Sequence, residues 1–203
     1  MEAEGPSTGS VLVLHGGRVR GRRDTSQLDL PVLRVKCLAR QIHGLVAPHG
    51  VDVHILRFSV RGWNGESASP VADARWALDT ITAGSDAPIV IVGHSMGGRT
   101  ALRVADRPQV VGVVGLAPWL PSGEPMADLS GRSLLIAHGN ADRTTDPRSS
   151  RRYVDLARDT AISAEFIEVT GDGHAMLRRP GTWNRLAADA TLAMLSLPAE
   201  KLR

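Results

Sequence analysis

A chain of 203 residues, 42% hydrophobic and 22% charged, is long enough to bury a full core in one domain without disulfide staples. Its net charge of +3 is carried almost wholly by Arg spread along the sequence, and one Tyr with two Phe leave little for base stacking, so nucleic acid is not expected as a partner. No apolar run could cross a bilayer, Met1 to Ser10 lacks the basic and apolar regions of a secretory signal, and the lone Cys37 excludes an intrachain disulfide; a cytoplasmic protein without a membrane partner is expected.

Residues 1–9 are acidic and turn-rich and are expected to be a flexible N-terminus. Ser10-Val-Leu-Val-Leu14 predicts a first strand, ending at His15-Gly-Gly17. Residues 30–47 read as a helix opened by Asp29 as cap, with Pro31 in its first turn. Cys37 falls on that helix among Leu33, Val35, Leu38 and Ile42 and is expected to be a small buried hydrophobe. A second strand is predicted over 51–58, and a helix over 70–82 with Val71, Ala74, Leu78 and Ile81 on one face. The run at 88–92 suits a strand buried on both faces; Gly93-His-Ser-Met-Gly97 and a helix over 99–105 follow it. Strands over 110–117 and 133–138, a helix over 147–159, a strand over 164–169 and a closing helix over 180–195 complete the chain. Such strands alternating with helices argue for an α/β fold in a single domain over 1–203: a mostly parallel, six-stranded sheet with helices on both faces.

Gly93-His-Ser-Met-Gly97 fits the G-x-S-x-G nucleophile elbow, and the strand before it and helix after it are the context the motif needs. A serine at the tip of so sharp a turn draws the flanking backbone together, which is why neither end of the motif has room for a Cβ. Serine is a poor nucleophile at neutral pH and needs a base, and the base needs an orienting group. The base candidate is His174, in Gly171-Asp-Gly-His-Ala-Met176 after the last strand. The acid candidate is Asp142, in His138-Gly-Asn-Ala-Asp-Arg143 after the fifth. His15-Gly-Gly17, the elbow, Asp142 and His174 each follow a predicted strand, and the carboxyl ends of parallel strands share one edge of the sheet, where ligands bind in such folds.

With these four motifs in this order, nearly the whole chain resembles the α/β-hydrolase family. The resemblance implies Ser95 as nucleophile, His174 as general base and then acid, and Asp142 as its partner. It also implies an oxyanion hole from the backbone N–H of Met96 and one from the His15-Gly-Gly17 loop, assigned to Gly17, with no cofactor and no metal. Arg61-Gly-Trp-Asn-Gly-Glu-Ser67 looks like the loop after the strand beside the oxyanion strand. Two departures matter. Nothing before Ser10 supplies the two extra strands of a full family sheet, so six strands are expected; residues 118–132 are too few for the helical cap many members insert, so a shallow, open site is expected.

Asp146 and Asp172 are rival acids; Asp146 is better used as a cap for the helix at Pro147. His15, His94 and His138 are motif neighbours expected to pack or hydrogen-bond, and His43, His49 and His54 show no metal-ligand spacing. Trp119, Met176, Trp63, Leu120 and Leu177 lie near strand ends as candidates to line a substrate pocket, and Arg18, Arg61 and Arg143 to stand at its mouth. The expected activity is that of a serine esterase on small or medium acyl esters, by way of an acyl-enzyme. The same groups could serve thioesters or amides, and a catalytically silent binding protein on the same fold is the alternative of another class.

Overall fold

The computed structural model describes Met1 and residues 7–196. Six strands, β1 (Gly9–Leu14), β2 (Val51–Leu56), β3 (Ile89–His94), β4 (Val110–Leu116), β5 (Ser133–Gly139) and β6 (Ser163–Val169), pair in the order β2-β1-β3-β4-β5-β6, every pair parallel. Five helices connect or follow them: α1 (Leu30–Val46), α2 (Ser69–Thr82), α3 (Met96–Arg103), α4 (Pro147–Ala157) and α5 (Pro180–Met194).

Side-chain alternation sends each strand's residues to two separate cores. Leu12, Leu14, Ile89 and Ile91 meet Leu78 of α2, Leu102 of α3 and Val154 of α4 on one face. Val11, Val13, Val90 and Val92 meet Val35 and Ile42 of α1 and Trp183 of α5 on the other. All of β1 and β3 is buried, so these central strands read as unbroken apolar runs. The chain moves outward from β1 to β2, then returns past β1 to β3. The crevice at that reversal lies between the carboxyl ends of β1 and β3, where His15-Gly-Gly17 and the elbow emerge.

Three expectations need correction. Within the expected flexible stretch, residues 2–6 lie outside the described residues, but the rest is held: the Thr8 N–H donates to Gly50 O at 2.8 Å, Gly9 opens β1, and the Met1 ammonium donates to Val53 O at 2.9 Å. Asp29 precedes α1 without capping it; its carboxylate accepts from the Ser26 N–H and pairs with Arg61. Cys37 is exposed, because the buried stripe of α1 runs through Val32, Val35, Leu38, Ala39, Ile42 and Val46 and leaves Leu33 and Cys37 beside it.

Between β4 and β5 no cap intervenes. Residues 118–132 lie back on the body of the protein, held where Leu129 is fully buried and the Tyr153 hydroxyl accepts from the Ala127 N–H. Glu124 in this segment pairs with Arg99 and Arg103 of α3, both at 2.6 Å. The Arg99 guanidinium lies 3.7 Å from the Trp63 ring centre and 4.6 Å from that of Trp119. A short connection is thus fixed by a buried ion pair stacked on two indoles.

Candidate active site

Ser95 sits on the turn between β3 and α3 with φ 55° and ψ −117°, a backbone conformation that costs a non-glycine residue roughly 1–3 kcal/mol. The turn is over-determined by its neighbours. The Ser95 N–H donates to Leu116 O at 3.0 Å, and its carbonyl accepts from the N–H groups of Gly98, Arg99 and Trp119. A Cβ on Gly93 would strike the Gly97 carbonyl, and one on Gly97 would strike the Leu14 carbonyl. Both elbow glycines are therefore required by close backbone approach.

His174, in the loop between β6 and α5, places Nε2 2.9 Å from Ser95 Oγ. Its Nδ1 lies 2.8 Å from Asp142 Oδ2. Asp142 follows β5, and its side chain is wholly shielded from solvent. Its Oδ1 accepts from the N–H groups of Thr144 and Thr145 at 2.7 and 3.0 Å. Its Oδ2 accepts from the Thr145 hydroxyl at 2.8 Å and from His138 Nε2 at 3.1 Å, besides His174. Burial pushes the carboxyl up, but the Thr145 and Thr144 N–H groups, with His174 and the Thr145 hydroxyl, outweigh it and hold the pKa at about 2. Asp142 is thus an anion that can only accept, so Nε2 of His138 carries a proton, and Nδ1 accepts from the Ser150 hydroxyl at 2.8 Å. Burial keeps His138 below the ordinary imidazole value despite Asp142, so it is neutral.

Two further histidines brace the same edge. Nε2 of His94 donates to the His174 carbonyl at 2.9 Å, and burial, with His174 next, lowers its pKa to about 3. His15 accepts the Phe58 N–H on Nε2 at 3.1 Å and donates from Nδ1 to Gly16 O at 2.7 Å; burial lowers it too. The loop they support lays Gly17 against Met96 so closely that a Cβ would strike the Met96 side chain and the Arg61 carbonyl. Among the described residues, the N–H groups of Gly17 and Met96 meet no internal acceptor.

The rival acids are occupied elsewhere. Asp146 caps α4, accepting the Arg148 N–H at 2.9 Å. Asp172 is buried and accepts from Trp183 Nε1 at 2.9 Å and from the N–H groups of Gly173 and Arg179, tying the His174 loop to α5. Of the candidate pocket residues, Trp63 and Leu120 are buried in the α2–α4 core and Trp119 packs against it. Leu120 borders a small hollow of about 210 Å³ beside α4. Met176 and Leu177 do line a groove between α1 and the start of α5, with Met176 buried and Leu177 exposed. Arg18, Gly17 and Arg61, the last paired with Asp29, border a hollow of about 430 Å³. Thr145 was not among the sequence candidates. The signal for it was Asp142-Arg-Thr-Thr145, whose N–H groups can fold back on an aspartate two and three residues earlier.

A parallel sheet reversing between β1 and β3, with a serine on a strained turn there, defines an α/β-hydrolase architecture. The chain belongs to the alpha/beta hydrolase family, whose family model matches residues 11–192. An uncharacterized protein of Mycobacterium tuberculosis is 30% identical, the match covering 64% of this chain and 56% of that protein; the chain thus spans little more than half the length of the curated relatives it matches. Similar solved structures include a putative alpha/beta hydrolase from Agrobacterium tumefaciens (TM-score 0.74, 16% identity, 97% of this chain and 89% of that one). A serine hydrolase without lid from Xanthomonas campestris aligns with TM-score 0.68 and 17% identity over 98% of this chain and 88% of its own. A monoacylglycerol lipase from Paleococcus ferrophilus aligns with TM-score 0.66 and 16% identity over 96% and 98%. Among the described residues no helix is long and apolar enough to cross a membrane.

Proposed function

We propose that the protein is a serine hydrolase cleaving small or medium carboxylic esters through an acyl-enzyme. The observation that carries this reading is the unbroken line Ser95 Oγ, His174 Nε2, His174 Nδ1, Asp142 Oδ2, with contacts of 2.9 and 2.8 Å. In it, His174 takes the proton of Ser95 as Oγ attacks the ester carbonyl, and Asp142 fixes the tautomer and stabilises the imidazolium. The oxyanion of the tetrahedral intermediate is received by the N–H groups of Met96 and Gly17, worth roughly 3–4 kcal/mol per donor. The imidazolium returns its proton to the leaving alkoxide. Water, deprotonated by the same His174, then hydrolyses the acyl-Ser95 ester and regenerates the hydroxyl.

The absence of a cap over 118–132 and the lidless relative from Xanthomonas campestris support an open site for a small-molecule substrate. The likeness to a monoacylglycerol lipase from Paleococcus ferrophilus supports carboxylic esters as the substrate class. Hydrolysis of p-nitrophenyl esters of increasing chain length tests the reading. Ser95→Ala and His174→Ala are each expected to lower kcat by on the order of 10⁴ to 10⁶, with little further loss in the double variant, because the groups act as a unit. Independent, additive losses would count against it, as would turnover that survives Ser95→Ala.

A further inference from the structure

Between α1 and the segment that follows His174 runs a groove of about 790 Å³, which the acyl-transfer steps leave unused. Met176 and Trp183 form buried parts of its wall, and Leu33 and Leu177 stand on its rim, 39% and 69% exposed. Leu30, 75% exposed, is shared with the hollow along Gly16 and Gly17, so the groove adjoins the proposed oxyanion loop. Exposed leucines grouped around one opening are what a surface looks like where an apolar chain is to be laid down.

Among these lining residues only Arg34 carries a charge. Its side chain is partly buried in α1, and no carboxylate among the described residues pairs with it. The comparison with other sheltered arginines is informative. Arg61 sits on Asp29, and Arg99 and Arg103 sit on Glu124. Burial lowers both Arg99 and Arg34 below the ordinary guanidinium value, but Glu124 pairs with Arg99 and opposes that shift, whereas for Arg34 burial acts alone. Arg34 is also near the proposed chemistry: it lines the groove together with Ala175 and Met176, the two residues that directly follow His174. A partly dehydrated guanidinium in an apolar groove lacks the planar anion it is built to hold.

We propose that this groove is an arm of the substrate site, and that the preferred ester carries an apolar chain ending in a carboxylate that Arg34 binds. The inference rests on the esterase reading above and names the substrate class within it. Half-esters of dicarboxylic acids, or esters of ω-hydroxy acids, have this chemistry.

Two matched substrate series test it. In one, p-nitrophenyl half-esters of glutaric, adipic and suberic acid are compared with uncharged p-nitrophenyl alkanoates of equal length. In the other, acetyl esters of ω-hydroxyalkanoates are compared with those of plain alkanols. In at least one series kcat/KM should favour the charged ester by roughly tenfold, the factor expected of one charge-assisted hydrogen bond, mostly through KM. Arg34→Met should bring that ratio to one or below, and Arg34→Lys should retain part of it, with thermal melting of each variant establishing that it is folded. A ratio of one or less in both series for the native protein, or a preference that persists in folded Arg34→Met, overturns the inference while the turnover of neutral esters leaves the esterase reading standing. Failure to hydrolyse any member of either series removes both.

Discussion

His138 and His174 converge on a single oxygen: Oδ2 of Asp142 receives Nδ1 of His174 at 2.8 Å and Nε2 of His138 at 3.1 Å. The carboxylate therefore divides its charge between two imidazoles and the hydroxyl of Thr145, and Ser150 anchors His138 from the far side. His138 acts through Asp142, as a positioning residue for the proposed base.

Replacing His138 by Leu, which has no N–H to offer Asp142, tests that role. With one donor fewer, more of the Asp142 charge faces His174 and favours its protonated form. The acid limb of the kcat/KM profile should move to higher pH, with kcat down by about tenfold as Asp142 loses a brace. A pH–rate series on an activated ester reads both. Loss of activity with an unmoved acid limb would make His138 merely structural.

Asp142→Asn and Asp146→Asn should separate cleanly. The first presents an amide to His174 Nδ1, disfavours the working tautomer and should lower kcat by about 10⁴. The second alters only the cap of α4 and should cost at most about 1 kcal/mol of stability, with kcat close to native. Kinetics and thermal melts of the two variants check this, and the reverse pattern would move the acid to Asp146.

The buried histidines give the fold a sensitivity to acid whose sign is determined. His94 has its pKa lowered from 6.5 to about 3, so it folds neutral, and its contribution is complete above the unfolded value of 6.5. That contribution is lost as pH falls from there through about 3, and burial of His15 and His138 acts in the same direction. Asp142, lowered from 3.8 to about 2, adds stability that is full above 3.8 and is lost only as pH falls through about 2. The melting temperature should begin to fall below neutrality, before carboxylates titrate. His94→Leu should be less stable at pH 7 yet show a flatter decline between pH 6.5 and 3, as thermal melts across that range would reveal. An equal slope in both proteins would contradict the assignment.

The strands were legible because β1, β3, β4 and β5 are nearly continuous apolar runs, and the line from Ser95 to Asp142 because each member follows a strand whose carboxyl end shares one edge. What remained hidden depends on partners far away in the chain. Asp29 has the sequence of a helix cap, yet Arg61 takes its carboxylate. Asp172 stands beside His174 in sequence, but Trp183 and the backbone of the next turn claim it. Cys37 shares a periodicity with apolar neighbours, and only the packing of α1 against the sheet decides which of two adjacent stripes is buried. Trp63 and Trp119 read as pocket walls, whereas the arginine they clasp has no local signature at all.

The most direct test of the central claim is labelling of the folded protein with a fluorophosphonate, comparing the native chain with Ser95→Ala and His174→Ala and locating the adduct by mass spectrometry. An activated Ser95 predicts one adduct, on the peptide containing Ser95, abolished by the first substitution and strongly slowed by the second. A folded native protein that takes no label, or takes it elsewhere, would contradict the account.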